Sequence, residues 1–445
     1  MTSTRLHLYA LVALALAGRP AGVLAQQAPE RLTLDEAIAQ GLANSHRLAE
    51  LQARQEAAAA VEQRRAADRL PTMAAQAGYT RTNHVQEFAI IQPGQPRLVV
   101  YPDVPDNYRT RLDLQWLIYS GGRVDALERA ARAEAQASGQ DLAAARADLR
   151  LEIARVFWAL VTAREAEQVL SRSLERIVSY VRDLRVRLDQ GLIPPNEVLS
   201  AEAQHSREQV AAIEAANARQ VAEADLRRLT GSNRGGPLEP VVEIEGPSPP
   251  PTATEPLIAE AIANRPERRA LADRVGAAKA RADAAGASLR PQIGVTGGYD
   301  YASPNPRHFP RDPRWEDSWD VGVIASWNLW DGGRTRADRA EAIAGGRAAE
   351  ARLADFDRQV AFEVRQRQLE LASSRAAITA ATEGVRAATE AHRVLAERFS
   401  AGVATNTEVL DGQTAVLLAE LDRTRALANA RLAEARLARA IGRSQ

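Results

Sequence analysis

The 445-residue chain contains no cysteine. That excludes disulfides, thiolate metal sites and a Cys nucleophile. Lysine is almost as scarce, because Lys279 is the single lysine among 57 basic residues. A P-loop needs a Lys inside a Gly-rich turn to reach phosphates, and Lys279 sits instead in the helix-like run AAKARAD. Charge of one sign is also missing. The 57 acidic residues balance the basic ones, so no global field suits nucleic acid or an acidic substrate. No GxSxG, no HExxH and no paired-carboxylate cleft is present, so no enzyme activity and no cofactor is expected. His7, His46, His84, His205, His308 and His392 show no metal-ligand spacing, and no metal is expected either. His84 and His308 fall in the outward loops expected at 83–108 and 303–319.

Long hydrophobic runs are absent beyond the first residues. The N-terminus MTSTRLHLYALVALALAGRPAGVLAQQ has Arg5, an apolar run from Leu8 to Ala17 and a peptidase-like ending Val23-Leu24-Ala25. It reads as a signal peptide over 1–25, cleaved near Ala25. The run is too short to span a bilayer, and no 18-residue apolar stretch follows residue 26. An exported chain with neither a transmembrane helix nor a lipid-anchoring Cys is expected.

What is present is a duplication. LIYSGGR (117–123) returns as NLWDGGR (328–334). Asn196-Glu197-Val198-Leu199 returns as Thr407-Glu408-Val409-Leu410, and LTG at 229–231 returns as AIG at 440–442. AIAQGLANSHRL (37–48) pairs with AIANRPERRAL (261–271), and Leu70-Pro71 with Arg290-Pro291. Gly122 and Gly191 are as far apart as Gly333 and Gly402. Two structural repeats are expected, 26–235 and 257–445, joined by the Pro-rich connector 236–256, which cannot be helical throughout.

Each repeat reads as helix, two strands, long helix, turn, helix. The tracts 123–190 and 333–400 contain no Pro. Leu149, Ile153, Val156, Leu160 and Ala163 recur at spacings of four and three, and Leu170, Leu174, Ile177, Val181, Leu184 and Leu188 continue the series. Ile378, Ala381, Val385, Ala388, His392, Leu395 and Phe399 do the same in the second tract. That period marks a left-handed coiled coil. Such a helix is about 100 Å long. Gly191 to Asn196 ends the first tract and starts the return helix 195–230, with Pro at its start and Asn196 as cap. Gly402 to Thr407 does so before the return helix 405–442.

Four other segments alternate or are short and apolar: 72–82, 109–119, 292–302 and 320–330. Leu112, Leu114, Trp116 and Ile118 oppose Arg111, Asp113 and Gln115; Val321, Val323, Ala325, Trp327 and Leu329 alternate with Gly322, Ser326 and Asn328. Five of six Trp and six of eight Tyr lie in 79–119 and 299–330. Short strands with one apolar face and aromatic ends are the mark of a lipid-facing β-barrel. Four strands cannot close one, and an open edge in lipid costs several kcal/mol per unpaired group. Three copies give twelve strands and a water-filled lumen, whereas two give a filled interior. A trimeric twelve-stranded transmembrane β-barrel, continued by a long α-helical coiled-coil barrel, is the expected fold. Gly121-Gly122 and Gly332-Gly333 would redirect each strand into the tube wall.

With these features the chain resembles the TolC family of outer-membrane efflux proteins over roughly residues 30–443. The resemblance implies a homotrimer in outer-membrane lipid that reaches into the periplasm. It implies a passive exit duct opened by a periplasmic adaptor and an inner-membrane pump or ABC transporter, for efflux or type I secretion. Arg187, Leu188, Gly191 and Leu192, with Arg398, Phe399, Gly402 and Val403, match the adaptor-docking tips. Glu408 and Asp411 match the acidic entrance gate, with Glu197 on the neighbouring hairpin. Three copies of each acid around one axis would favour cations. One departure is Ala404, where a member of the family has an Arg, two residues after the Gly of the second tip, that would latch the closed state. The alternative is a non-transporting periplasmic coiled-coil scaffold or adhesin, which would have no membrane-inserted strands. An inner-membrane adaptor would need a lipoyl-like or barrel domain between its helix arms, and the sequence offers none.

Overall fold

A computed structural model describes residues 30–232, 236–242 and 253–443. The expected signal peptide and part of the connector lie outside the described residues. In chain order the elements are β1 (Glu30–Leu32), α1 (Leu34–Asn44), α2 (His46–Ala67), β2 (Thr72–Arg81), β3 (Phe88–Ile90), β4 (Leu98–Tyr101), β5 (Asp106–Tyr119), α3 (Arg123–Asp189) and α4 (Pro195–Thr230). There follow β6 (Leu238–Pro240), α5 (Thr254–Asn264), α6 (Pro266–Ala287), β7 (Gln292–Ser303), β8 (Glu316–Ser326), α7 (Arg334–Ser400) and α8 (Asn406–Ala440). The fold is thus mixed α and β and internally duplicated. α3 and α7 each hold 67 residues, about 100 Å of helix.

Two units partition the chain, one from 30–44, 153–248 and 384–428, the other from 45–152, 249–383 and 429–445. The first is helical. Along α3 the apolar seam buries Ile153, Leu160, Ile177 and Leu184 to 1 % exposure or less. Ile177, Val181 and Leu184 pack with Val198 and Ala201 of α4 and Leu410 of α8. Each fully buried aliphatic side chain of this kind contributes roughly 1.5–3 kcal/mol. The seam of α7 behaves differently, since Val385, Ala388, His392, Leu395 and Phe399 are all only half-buried. β1 pairs parallel with β6, which lies inside the Pro-rich connector. Gly231 ends α4 in the left-handed region at φ 71°, where a Cβ would come within 2.9 Å of Asn44. Asn44 in turn donates to the Thr230 carbonyl at 2.7 Å.

In the second unit the four long strands form one antiparallel sheet in the order β2-β5-β7-β8. The strands of the two repeats therefore meet at β5–β7, while β2 and β8 are the edges. Register places Arg109, Arg111 and Asp113 opposite Ala302, Asp300 and Gly298, and these opposite Glu316, Ser318 and Asp320. That face is polar. The opposite face carries Leu112 and Leu114, Tyr299 and Val295, and Trp319, Val321 and Val323, the last three about 70 % exposed. Elsewhere in this unit, Leu257, Ile258 and Ala261 of α5 bury against Val360 and Val364 of α7 and Ile441.

Two expectations need correction. The fourth strand is Glu316–Ser326, not 320–330. Ser326 is paired with Gln292, the first residue of β7, so residues 327–330 would have to pair with 288–291. That segment ends in Pro291, which has no N–H to donate, and begins where α6 stops. Asn196 does not cap α4. Pro194 takes the cap position, Pro195 is the first helical residue, and no side chain caps the turn. The small pairs β1–β6 and β3–β4 were not anticipated.

Candidate functional site: strand–helix junctions and hairpin turns

The two junctions repeat one geometry. Gly121 and Gly122 have φ of 64° and 87°, and Gly332 and Gly333 have 70° and 89°. Two successive left-handed residues turn the chain sharply, which only Gly does at no steric cost. The residue before each pair then caps the long helix. Ser120 Oγ accepts the Val124 N–H at 3.1 Å, and Asp331 Oδ2 accepts the Thr335 N–H at 2.8 Å. The variable first letter of SGGR and DGGR is thus a helix cap in both copies. The surroundings differ. A Cβ on Gly121 would lie 2.6 Å from the Arg290 Cβ, whereas one on Gly332 would meet nothing within 4 Å.

The turns repeat as well. Gly191 and Gly402 have φ of 71° and 76°. Each donates to the carbonyl three residues back, Leu188 at 2.8 Å and Phe399 at 3.0 Å. The following residues, Leu192 and Val403, donate to Arg187 and Arg398 at 2.9 Å each. Both turns are Schellman ends. The side chains sort into two sets. Leu192 and Val403 are 68 % and 62 % exposed. Leu188 and Phe399 instead pack inward on the Ile177–Leu184 cluster. Arg187 stacks over the Phe399 ring at 5.1 Å, and Arg398 donates to the Val403 carbonyl of its own turn at 3.3 Å. The residues before each Gly therefore hold the turns together, and those after it are presented to solvent.

The three acids occupy different settings. Glu408 closes a capping box: its Oε2 accepts from the Thr405 N–H at 2.6 Å and the Thr405 hydroxyl at 2.9 Å. These bonds, the backbone one foremost, hold its carboxyl below the usual range. Asp411 is exposed. Glu197 has one buried carboxylate oxygen, Oε2, without a hydrogen-bond partner. A relay ties the two helix starts together. The Tyr180 hydroxyl donates to Asn406 Oδ1 at 2.7 Å, and Asn406 Nδ2 donates to the Glu197 carbonyl at 2.9 Å. Burial, then the Glu197 charge, pushes the Tyr180 phenol well above its ordinary value.

Tyr180 also lines a groove of about 650 Å³ with Arg176, Asp183, His392, Phe399 and Gln413. The His392 imidazole is depressed by burial and by Arg176. It lies against α8 at Gly412, where a Cβ would sit 3.4 Å from the His392 Cα. Sequence reasoning overlooked Tyr180, Asn406 and the groove. A Tyr beside a coiled-coil seam and an Asn inside the first helical turn were the available signals.

The family model for outer membrane efflux proteins matches residues 37–232 and 257–443, which is most of the chain. No curated protein matches the sequence significantly. Among solved structures, the outer-membrane channel OprN is similar with a TM-score of 0.78 at 22 % identity, over 92 % of this chain and 90 % of that one. The outer membrane protein VceC from Vibrio cholerae gives 0.77 at 20 %, over 92 % and 96 %. The open state of the MtrE outer membrane channel from Neisseria gonorrhoeae gives 0.75 at 20 %, over 92 % and 88 %. At these identities the likeness carries the fold. The match over both repeats carries more: the chain belongs to the outer membrane efflux protein family, whose members are channels of the outer membrane rather than enzymes.

Proposed function

We propose that three copies of this chain close a twelve-stranded barrel and act as the exit duct of a tripartite efflux or type I secretion system. The observation that carries this reading is the open sheet. β2 and β8 each have a single neighbour, and the apolar face around Trp319, Val321 and Val323 is unpartnered. In lipid such edges must be paired by further strands. The half-buried seam of α7 asks for helices from another copy in the same way. A periplasmic adaptor would grip Leu192 and Val403, the exposed residues of the turns presented by Arg187, Leu188, Gly191, Arg398, Phe399 and Gly402. Its contact would favour an opened packing only by binding that state more tightly. Glu197, Glu408 and Asp411 would form the entrance gate. The Tyr180–Asn406–Glu197 relay would stand in for the absent Arg at Ala404. Substrates would pass by the work of the inner-membrane pump or ABC transporter.

The test is the mass of detergent-purified protein by light scattering together with conductance in planar bilayers. A trimer that forms cation-preferring channels is expected. Glu408→Ala with Asp411→Ala should weaken that preference. A monomer that stays dissolved without detergent would overturn the duct.

A further inference from the structure

In the connection between β7 and β8, residues 304–315, the stretch from Asn305 to His308 turns back onto the polar face of the sheet. Asn305 is 1 % exposed. Its Nδ2 donates to the Ser318 hydroxyl at 3.1 Å and to the Glu316 carbonyl at 2.9 Å, and its Oδ1 accepts the Arg307 N–H at 3.0 Å. Arg307 reaches Asp320 Oδ1 at 2.8 Å and the Trp319 carbonyl at 2.6 Å. His308 Nδ1 lies 3.0 Å from Glu316 Oε2. Asn305, Arg307 and His308 thus grip Ser318, Asp320 and Glu316, three alternate residues of β8 on one face.

The same face is wired beneath the loop. Arg111 bonds to Asp113 at 2.6 Å, to Asp300, and to Asp320 at 3.4 Å. Arg109 bonds to Asp300 at 2.6 Å. Gly298 leaves the room for this, because a Cβ there would come within 2.7 Å of the Arg111 Cζ and 2.9 Å of Asp320. The Arg111 guanidinium therefore occupies the space that a side chain at position 298 would take. Arg109, Arg111 and Arg307 pair with Asp113, Asp300 and Asp320, so these three charges of each sign in the belt compensate one another, while Glu316 stands beside His308. Phe309, in the loop, is 76 % exposed.

We propose that this loop is a fixed constriction inside the outer mouth of the channel, and that Arg111 and Arg307 set its charge balance. The inference rests on the barrel reading given above. In a barrel the apolar face of Trp319, Val321 and Val323 meets lipid, so the polar face, and the loop clamped to it, line the lumen. Rings of charged side chains govern which ions pass a narrow lumen. Here the ring is compensated, so the mouth restricts by size while discrimination by sign is left to the acids at the other end of the helices. Arg111 and Arg307 are specificity-determining residues by virtue of the carboxylates they mask.

Single-channel recordings in an asymmetric salt gradient test this. Arg307→Ala unmasks Asp320 and frees the loop, so conductance should rise and the reversal potential should move toward the cation. Asp320→Asn leaves a positive excess and should move it toward the anion. Arg307→Lys should restore the wild-type potential. Because the chain has no native cysteine, Phe309→Cys can be labelled selectively, and a bulky maleimide there should lower the conductance. This labelled channel keeps the belt intact, so it reports even where a charge variant fails to assemble. A wild-type protein that forms no channel refutes the duct itself. A conducting wild type whose charge variants share its potential, or whose fully labelled Phe309→Cys form conducts unchanged, refutes the constriction.

Discussion

The indole Nε1 of Trp116 donates to the backbone carbonyl of Arg69 at 2.9 Å, and 211 positions later Trp327 makes the same bond to Leu289 at 3.0 Å. Arg69 and Leu289 each lie two residues before the proline that precedes a strand, Pro71 or Pro291. The bond therefore ties the end of β5, or the residue after β8, to the helix-to-strand corner of the same repeat.

Trp116→Phe and Trp327→Phe keep a ring and remove the donor. Each should cost about 0.5–1.5 kcal/mol, toward the low end because both indoles are partly exposed. Thermal unfolding followed by circular dichroism would show a similar drop for both. A drop in one and none in the other would mean that the duplicated bonds have diverged in importance.

The junction glycines should respond unequally. Alanine in the left-handed region costs roughly 1–2 kcal/mol through the backbone alone. Gly332→Ala meets nothing within 4 Å and should cost only that. Gly121→Ala also drives a Cβ to 2.6 Å from Arg290 and 3.1 Å from the Ala287 carbonyl, so it should cost clearly more. Equal denaturation midpoints for the two variants would contradict the crowding at Gly121.

Arg265 is 6 % exposed and holds Glu363 at 2.5 Å and Glu267 at 3.2 Å, with its guanidinium 5.4 Å from the Phe356 ring. Removing one partner of a buried ion network typically costs about 3–5 kcal/mol. Arg265→Ala should fall near the lower figure, since Glu363 is partly exposed and Arg439 remains on Glu267. Chemical denaturation would register it. A loss below that of an exposed pair would show that Glu267 and Glu363 find other partners.

Acid should loosen the second turn. The folded-state pKa of Glu408 lies below its ordinary value of 4.5, because the ionised form accepts from Thr405. Its contribution is fully present above that ordinary value and is lost as pH falls through the folded-state value. Protection of the Thr405 amide, corrected for intrinsic exchange, should drop in that acid window. In Glu408→Gln the acceptor remains but cannot titrate, so the drop should vanish. Wild-type protection that stays level through the window would remove the titration from the account.

The long elements were legible because a sustained 3.5-residue period leaves little choice of partner, and Leu149 to Leu184 indeed form the buried seam of α3. The duplicated Gly pairs and turns were legible because positive φ restricts the residue type. Local pattern could not give the end of the fourth strand. Trp327 and Leu329 continue the alternation, but whether they pair depends on Pro291, a residue on another segment. Nor could it give β1–β6, whose register joins Glu30 to Leu238 across most of the first repeat. At the turns, spacing placed Arg187, Leu188, Arg398 and Phe399 at the ends of the long helices, where their backbones close the turns. It could not say that Leu188 and Phe399 pack inward, because that depends on α3 and α7 meeting through Phe399.

The two turns share a backbone and differ in chemistry. Pro194 and Pro195 begin one return helix without a side-chain cap, whereas Thr405 and Glu408 begin the other with a proton-sensitive clasp. Any partner that holds both at once has an avid, two-handed grip whose strength depends on their fixed separation. Acid would release one hand and leave the other, so such a complex would weaken in a step set by lost avidity rather than dissolve outright.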